Sequence, residues 1–458
     1  MTLKPIEEMS YFSKAEKLVN ILMTKTQNNN PLFFRVIVAY YFTTLASQMR
    51  INIKGFSKGT IPINCYTIAL SPSGSGKGHS TSLIEQEVLN NFNTIFREQT
   101  IRYSAEVNCE KLAQKRATRN NTDVEDELSK LAKDYANLGA YLPSFDSATT
   151  PAIKQMRQKL LMANAGSCNL VIDEFGANLS GSIEPLTTYL ELYDKGLLRD
   201  KLVKSSADNV RFERIEGYTP ANLLAFGTPV NLLDGSKNEE TFHNLLKVGY
   251  ARRCFFAYSD KVHKNHVTSV DEAIEQMFND TDDDYLEELS EQLSLLADMS
   301  LLNKSISINP NTLRTLIAYK LDCESQSTQL SEIEEIRKSE LEHRYFKVLK
   351  LSGAYAFIDG KDEINDEHLE AAIKLAEDSG KAFNKLMTPM KPYMKLAKYL
   401  ADYKGEVTLA DLDEDVPYFK GTKTQKDELV QMATAWGYKN NILIKKSYMD
   451  SIMFLSAD

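Results

Sequence analysis

The chain has 458 residues, 43% of them hydrophobic and 26% charged, with a formal net charge of −9. At about 100–200 residues per domain this length predicts two to four domains. The acidic balance excludes a surface coated in positive charge for nonspecific nucleic-acid binding, but it leaves room for local basic patches. The cysteines Cys65, Cys109, Cys168, Cys254 and Cys323 have no C-x-x-C spacing and an odd total. That usage suits a reducing cytoplasm rather than a disulfide framework or zinc ribbon. The start, MTLKPIEEMSYF, lacks a signal-peptide pattern, and no run approaches the ~18 apolar residues of a membrane span. A cytoplasmic protein with no membrane partner is expected.

Residues 1–60 read as a helical region, with apolar recurrences over 15–23 and 32–49. The stretch 68–80, IALSPSGSGKGHS, follows an apolar run and gives way to helix-forming sequence. This is the strand, loop and helix order of a phosphate-binding P-loop. Gly74 and Gly76 permit close backbone approach, so successive N–H groups can point at phosphate oxygens. Lys77 adds positive charge where the outer phosphates of ATP would lie, and Ser73, Ser75, Gly78 and His79 complete the expected cradle. The pattern G-x-x-x-x-G-K-[ST] is broken at both ends, by Ser71 and by Gly78. Gly78 removes the usual hydroxyl ligand for Mg2+, which Ser80, Thr81 or water would replace. The bland alternative is a Ser/Gly turn with an incidental lysine.

Residues 84–138 are charged and helix-prone, and predict a helical hairpin inserted after the loop's helix. Thr122 and Glu125 have capping-box spacing, so the second helix is expected to start there. At 145–161, FDSATTPAIKQMRQKLL, a polar turn leads into a helix with Pro151 at its first position. Then NLVIDEFG, residues 169–176, reads as a buried strand ending in Asp173 and Glu174. In a parallel sheet that end is where ligands bind. Asp173 is placed to hold Mg2+ through its water shell, and Glu174 to accept a proton from an attacking water.

Residues 184–198 look helical, and 200–216, DKLVKSSADNVRFERIE, read as a β-hairpin. Lys201, Lys204, Arg211 and Arg214 make it locally basic. Two readings are open: a channel-lining hairpin that holds single-stranded nucleic acid, or a solvated surface hairpin. A further buried strand, 222–227, ends at Thr228, a polar residue placed to sense the γ-phosphate or position water. Arg252 and Arg253 precede another apolar strand, and either could serve as an arginine finger for a neighbouring subunit.

The run from IALSPSGSGKGHS through FDSATTPAIKQM, NLVIDEFG, LELYDKG, NLLAFGTP and GYARRCFFAYS resembles a phage and mobile-element family of replicative helicase-type (primase-helicase-like) ATPases, formerly a domain of unknown function, over roughly residues 60–380. The resemblance implies a RecA-like or AAA+-like P-loop core, ATP hydrolysis and a role in DNA replication. Ser71 and Gly78 depart from the family's usual loop. With no zinc-binding cysteine set, and no room for a polymerase domain before residue 60, a helicase or translocase without priming activity is expected.

Residues 263–390 read as a helical domain, with Asn365 as an N-cap and His343 and His368 as structural histidines. From 391 to 458 the pattern suggests a winged helix, including a helix over 424–436 and a hairpin around Asn440-Asn441. Lys423 and Lys426 fall on its would-be recognition helix, where they would contact duplex or fork DNA. Protein contact is the other use of such a module.

The expected fold is therefore α/β: a P-loop ATPase core over 61–262 carrying the insertion 84–138, flanked by helical regions 1–60 and 263–390, with a winged helix at 391–458. The expected function is an ATP- and Mg2+-dependent DNA helicase, working as a homo-oligomeric, hexameric ring with other replication proteins. The alternatives are an ATP-switch initiator or helicase loader without unwinding activity, and an inactive P-loop scaffold.

Overall fold

The strands follow from short apolar runs bounded by turns. In the computed structural model of the chain they are, in order, β1 (Asn52–Lys54), β2 (Thr60–Pro62), β3 (Tyr66–Leu70), β4 (Cys168–Ile172), β5 (Ala221–Gly227), β6 (Cys254–Tyr258), β7 (Ser305–Ile308), β8 (Glu363–Ile364), β9 (Val407–Thr408), β10 (Ile444–Met449) and β11 (Ile452–Ala457). The structure describes residues 3–55, 59–179, 183–198, 215–233, 237–264, 269–277, 280–388, 391–403, 405–416, 418–449 and 452–457. The chain divides into two units, Met1–Asn384 and Lys385–Asp458.

The first unit has an α/β core. Its central sheet is parallel throughout, in the order β4-β5-β3-β6. Every described position of β3 and β5 is buried, as expected of strands covered on both faces. Asn169 and Asn222 interrupt two of these apolar strands because they bond each other. Asn222 Nδ2 donates to Asn169 Oδ1 at 2.9 Å, and the Cys65 amide donates to Asn222 Oδ1 at 2.9 Å. This polar ladder closes the amino edge of the sheet.

The helix Pro31–Gln48 is capped by Asn30 and is buried along nearly its whole length. It packs on β3, β5 and β6, and on the helix Glu335–Ile358, so it is interior to the unit. Residues 1–60, expected to be mostly helical, also contain β1 and the start of β2. These strands join β7 and β8 from the predicted helical domain in a mixed sheet, β2-β1-β7-β8. Arg50, only 1% exposed and at φ 54°, ties this region to the helix Thr150–Ala163. Its guanidinium donates to the carbonyls of Leu160, Ala165, Gly166 and Tyr218. Carbonyls at a helix end need such donors, and here a buried arginine supplies them. Burial pushes the Arg50 guanidinium down to about 10.

Helical structure runs on from Lys77 to Asn120 through two π turns, and the helix Val124–Asn137 packs back against it. Its N-cap is Asp123, whose Oδ1 accepts from the amides of Glu125 and Asp126. Thr122, the expected cap, instead donates to Glu127 at 3.1 Å. Pro151 is the second residue of its helix, after the cap Thr149. Asn365 caps the helix Asp366–Leu386, accepting from the His368 amide at 3.0 Å. His368 pairs with Asp359, and His343 lies 3.1 Å from the Ser339 carbonyl. All five cysteines are buried and free.

The second unit contains the helices Pro392–Tyr403, Leu409–Asp415 and Lys423–Lys439 and an antiparallel sheet in the order β10-β11-β9. Leu396, Leu400, Leu412, Phe419, Val430 and Leu455 form its core. The hairpin expected at Asn440-Asn441 lies further on, between β10 and β11. Asn441, at φ 60°, instead follows the end of the helix Lys423–Lys439. Among the described residues no helix is long and apolar enough to cross a membrane.

Candidate functional site

The candidate site lies at the carboxyl edge of the parallel sheet. β3 ends at Leu70, and Ser71 continues the pairing by donating its amide to the Gly227 carbonyl at 3.1 Å. The chain then turns through Gly74 at φ 82° and Gly76 at φ 78°, left-handed conformations that favour glycine. Ser71 and Ser75 hydroxyls meet at 2.6 Å, and Ser75 Oγ also bonds the Pro72 carbonyl. Ser71 thus fills the first glycine position with a hydroxyl that closes the loop from within. Ser73, Gly74, Gly78 and His79 are exposed, and Ser75 is buried. Gly76 leads directly into the helix Lys77–Leu83.

Strand register places the acids. Ile172 is level with Ala225, and Ala225 is level with Ile68. Asp173 and Glu174 therefore leave β4 at the height where Ala69 and Leu70 end β3. Lys77 spans that gap. Its Nζ lies 3.1 Å from the Asp173 carbonyl and 3.4 Å from Glu174 Oε2. Both side chains of this pair are about one-third exposed, at 34% and 37%. Thr228 follows Gly227 on the intervening strand, so it stands beside Ser71. Its carbonyl accepts from Asn231 and Leu232 at the start of the short helix Pro229–Leu232.

An N-terminal element not foreseen from the sequence braces the loop. Asn28, 2% exposed, donates through Nδ2 to the Ser75 carbonyl at 2.8 Å. A Cβ added to Gly76 would meet Thr26 Cβ at 2.5 Å. The helix Ser13–Thr26 ends here, and Gln27 turns the chain at φ 54°. No sequence signal links Thr26 or Asn28 to a loop some fifty residues away.

The backbone amides of the loop and Lys77 are the groups able to hold an anion. Asp173, whose carbonyl accepts from Lys77 Nζ, is exposed and carries a carboxylate that a divalent cation could use. Among the described residues no cluster of three His, Cys, Asp or Glu side chains is arranged for a metal. Gly78 has no atom within 4 Å of an added Cβ, so a hydroxyl there is absent without being excluded. Ser80 and Thr81 hydroxyls both donate to the Lys77 carbonyl, at 2.8 and 3.1 Å.

Arg252 and Arg253 are not at this edge. They precede Cys254, which is level with Tyr66 at the amino end of β3. Four residues of strand, about 13 Å, separate that level from Leu70. Arg253 is 7% exposed; it donates to Asp194 at 2.7 Å and to the Gly249 carbonyl at 3.2 Å. Those bonds engage the Arg253 guanidinium within its own chain. Arg252 is half-buried and borders a cavity of about 110 Å³ with Tyr193, Asp194, His343 and Phe346. Burial and the neighbouring Arg253 push the Arg252 guanidinium below its usual range. The motif LELYDKG contains Asp194, but its sequence alone does not pair it with Arg253.

Lys201, Lys204, Arg211 and Arg214, with the hairpin expected around them, lie outside the described residues. In the second unit Lys423 is exposed at the start of its helix. Lys426 is bound at 2.7 Å to Asp413, which reduces its availability for phosphate contact. No family model matches this chain, and a search of curated proteins finds no match.

Proposed function

We propose that the first unit is a P-loop ATPase and that the chain is an ATP-driven helicase or translocase acting on DNA. The observation that carries the ATPase reading is the meeting of Lys77 with Glu174 and the Asp173 carbonyl across the carboxyl edge of the sheet. Two separate sequence motifs, 68–80 and 169–176, converge there. A glycine-containing loop, a lysine at a helix start and an acid pair two strands away form the constellation expected for phosphoryl transfer.

Ser73 to His79 would surround the phosphates, with Lys77 at the outer ones. Asp173 would hold Mg2+ through water, which suits an ion that keeps much of its hydration shell and does not need a cage of three protein ligands. Bound Mg2+ supplies charge neutralisation at the phosphates. Glu174 would orient the attacking water and accept its proton, and Thr228, on the intervening strand, would sense the γ-phosphate or help position that water. On nucleotide entry Lys77 exchanges Glu174 for phosphate, which releases the carboxylate for this work. Arg252 is too far along the sheet to serve its own subunit's site, so its use as a finger requires a neighbour. A ring of subunits meets that requirement.

The helicase and DNA-replication parts of the reading rest on the sequence resemblance, as does the hexamer. Reading the second unit as a winged helix rests on its order of helices and its terminal antiparallel ribbon. The deciding experiment measures ATP hydrolysis with and without single-stranded DNA, then strand displacement on a forked duplex. DNA-stimulated hydrolysis with displacement supports the motor. Stimulated hydrolysis without displacement supports an ATP switch, and no hydrolysis supports a scaffold.

A further inference from the structure

Three elements of the first unit meet at the cavity beside Arg252. The helix Glu184–Lys195 supplies Tyr193 and Asp194, the turn before β6 supplies Arg252 and Arg253, and the helix Glu335–Ile358 supplies His343 and Phe346. Both guanidiniums crowd Gly249: a Cβ added there would meet Arg253 Nη1 and lie 3.4 Å from Arg252 Nε. Two like charges are thus held side by side out of full contact with water. Among the lining residues Asp194 is the one carboxylate; it is bonded to Arg253, and its side chain is 55% exposed. The acids on the helix of His343 bind elsewhere, Glu340 to Arg344 and Lys347, Glu335 to Lys247, and Glu342 to the Ser327 hydroxyl.

Positive charge at this cavity is therefore in excess. Among the described residues no hydrogen bond or ion pair holds the Arg252 guanidinium, and Arg253 Nε is buried without a partner. Behind the aromatic walls, Lys350 Nζ lies 4.4 Å from the Tyr193 ring and 5.0 Å from the Phe346 ring. Cations taken from water without counter-ions are costly, and an anion in the cavity offsets that cost. The volume, about 110 Å³, is well below the ~300–1,000 Å³ of a site that encloses a drug-sized ligand. It suits a small oxyanion rather than a whole nucleotide.

His343 narrows the choice of anion. Its Nδ1 lies 3.1 Å from the Ser339 carbonyl, which can only accept, so Nδ1 carries the proton of the neutral ring and Nε2 remains an acceptor. Burial, with Arg252 and Arg253, pushes the imidazolium below its usual range, against opposing effects of the Ser339 carbonyl and Glu342. Sulfate and carboxylates offer acceptors alone near neutral pH. Inorganic phosphate keeps at least one P–OH there, so it satisfies donors and an acceptor together. We propose that this cavity binds inorganic phosphate, with Arg252 donating to its oxygens, His343 Nε2 accepting from its P–OH, and Arg253 adding charge. The site is complete within one subunit and does not depend on reading the carboxyl edge of the sheet as an ATPase.

The test is isothermal titration calorimetry of the full chain with sodium phosphate and with sodium sulfate near neutral pH, in a Lys77→Ala background that weakens anion binding at the loop. Phosphate should bind that protein about tenfold more tightly than sulfate. Adding Arg252→Ala should lower phosphate affinity at least about tenfold, and adding His343→Leu should bring phosphate down to the sulfate level. No phosphate binding, parental affinity in the Arg252→Ala protein, or equal affinity for phosphate and sulfate before His343 is changed would overturn the proposal. ATP that displaces phosphate from the Lys77→Ala protein would assign the cavity to the terminal phosphate of a nucleotide and overturn its assignment to free phosphate. If the parent hydrolyses ATP while phosphate binding ignores Arg252, the cavity proposal fails and the ATPase reading stands. If phosphate binding requires Arg252 but the parent hydrolyses no ATP, the cavity proposal stands and the ATPase reading fails.

Discussion

Lys77 Nζ lies 3.4 Å from Glu174 Oε2, across the carboxyl edge of a sheet in which their strands are separated by β5. With both side chains about one-third exposed, the pair is worth no more than ~1 kcal/mol to the fold. Its significance is therefore positional: it holds a cation and a carboxylate together where a polyphosphate and a water would be handled.

Gly76→Ala tests how tightly the loop is built. The residue sits at φ 78°, and its new Cβ would meet Thr26 Cβ at 2.5 Å. Destabilisation of about 1–3 kcal/mol is expected in chemical denaturation, together with loss of nucleotide binding.

Gly78→Ser should have the opposite effect. The site is helical and has open space around an added Cβ. Replacing this first-turn helical glycine should stabilise the protein by up to roughly 0.5 kcal/mol. A hydroxyl next to Lys77 should also lower the Mg2+ concentration needed for half-maximal ATP hydrolysis, measured by titration.

Arg252 and Arg253 should separate by phenotype. Arg253→Ala removes the bonds to Asp194 and Gly249 and should cost about 1–3 kcal/mol of stability. Arg252→Ala should leave stability within about 0.5 kcal/mol and reduce hydrolysis in the assembled protein by about 10³-fold. Mixing Arg252→Ala with Lys77→Ala subunits should restore part of the activity, because some interfaces then combine an intact lysine with an intact arginine.

Lys350 supplies a pH signature of the fold. It is 1% exposed and donates to Asn64 Oδ1 and the Tyr193 carbonyl. Burial, reinforced by Arg253, pushes its ammonium down to about 7, against a partial counter-effect from Asp194. The unfolded chain, with a lysine near ~10.4, binds more protons between these values, so stability rises with pH across that window. The contribution is at most about 1.4 kcal/mol per pH unit. Lys350→Met should lack this component when urea denaturation of parent and variant is compared at pH 7 and pH 10.

The four strands of the central sheet were legible because a strand buried on both faces is a continuous apolar run, as in YTIAL and CFFAY. The edge acids were legible because they end such a run. Other features depend on tertiary partners. The strands β1, β7 and β8 have four residues or fewer, too short for a periodic signal, and they pair across some 250 residues or within the predicted helical region. Thr122 and Asp123 are both competent caps, and only the folded backbone selects Asp123. Asn440-Asn441 is hairpin chemistry, yet the same tolerance of left-handed backbone suits the residue after a helix end. Asn28 and Asp194 were invisible as site elements because their roles lie in contacts with distant segments.

The central claim is that the Lys77–Glu174 edge hydrolyses ATP, and steady-state hydrolysis by the parent, Lys77→Ala and Glu174→Gln proteins, paired with ATP-binding measurements, tests it most directly. The account predicts that Lys77→Ala loses both binding and turnover. Glu174→Gln should keep binding but fall by about 10²–10⁴ in rate. Hydrolysis at the parental rate in either variant would contradict it.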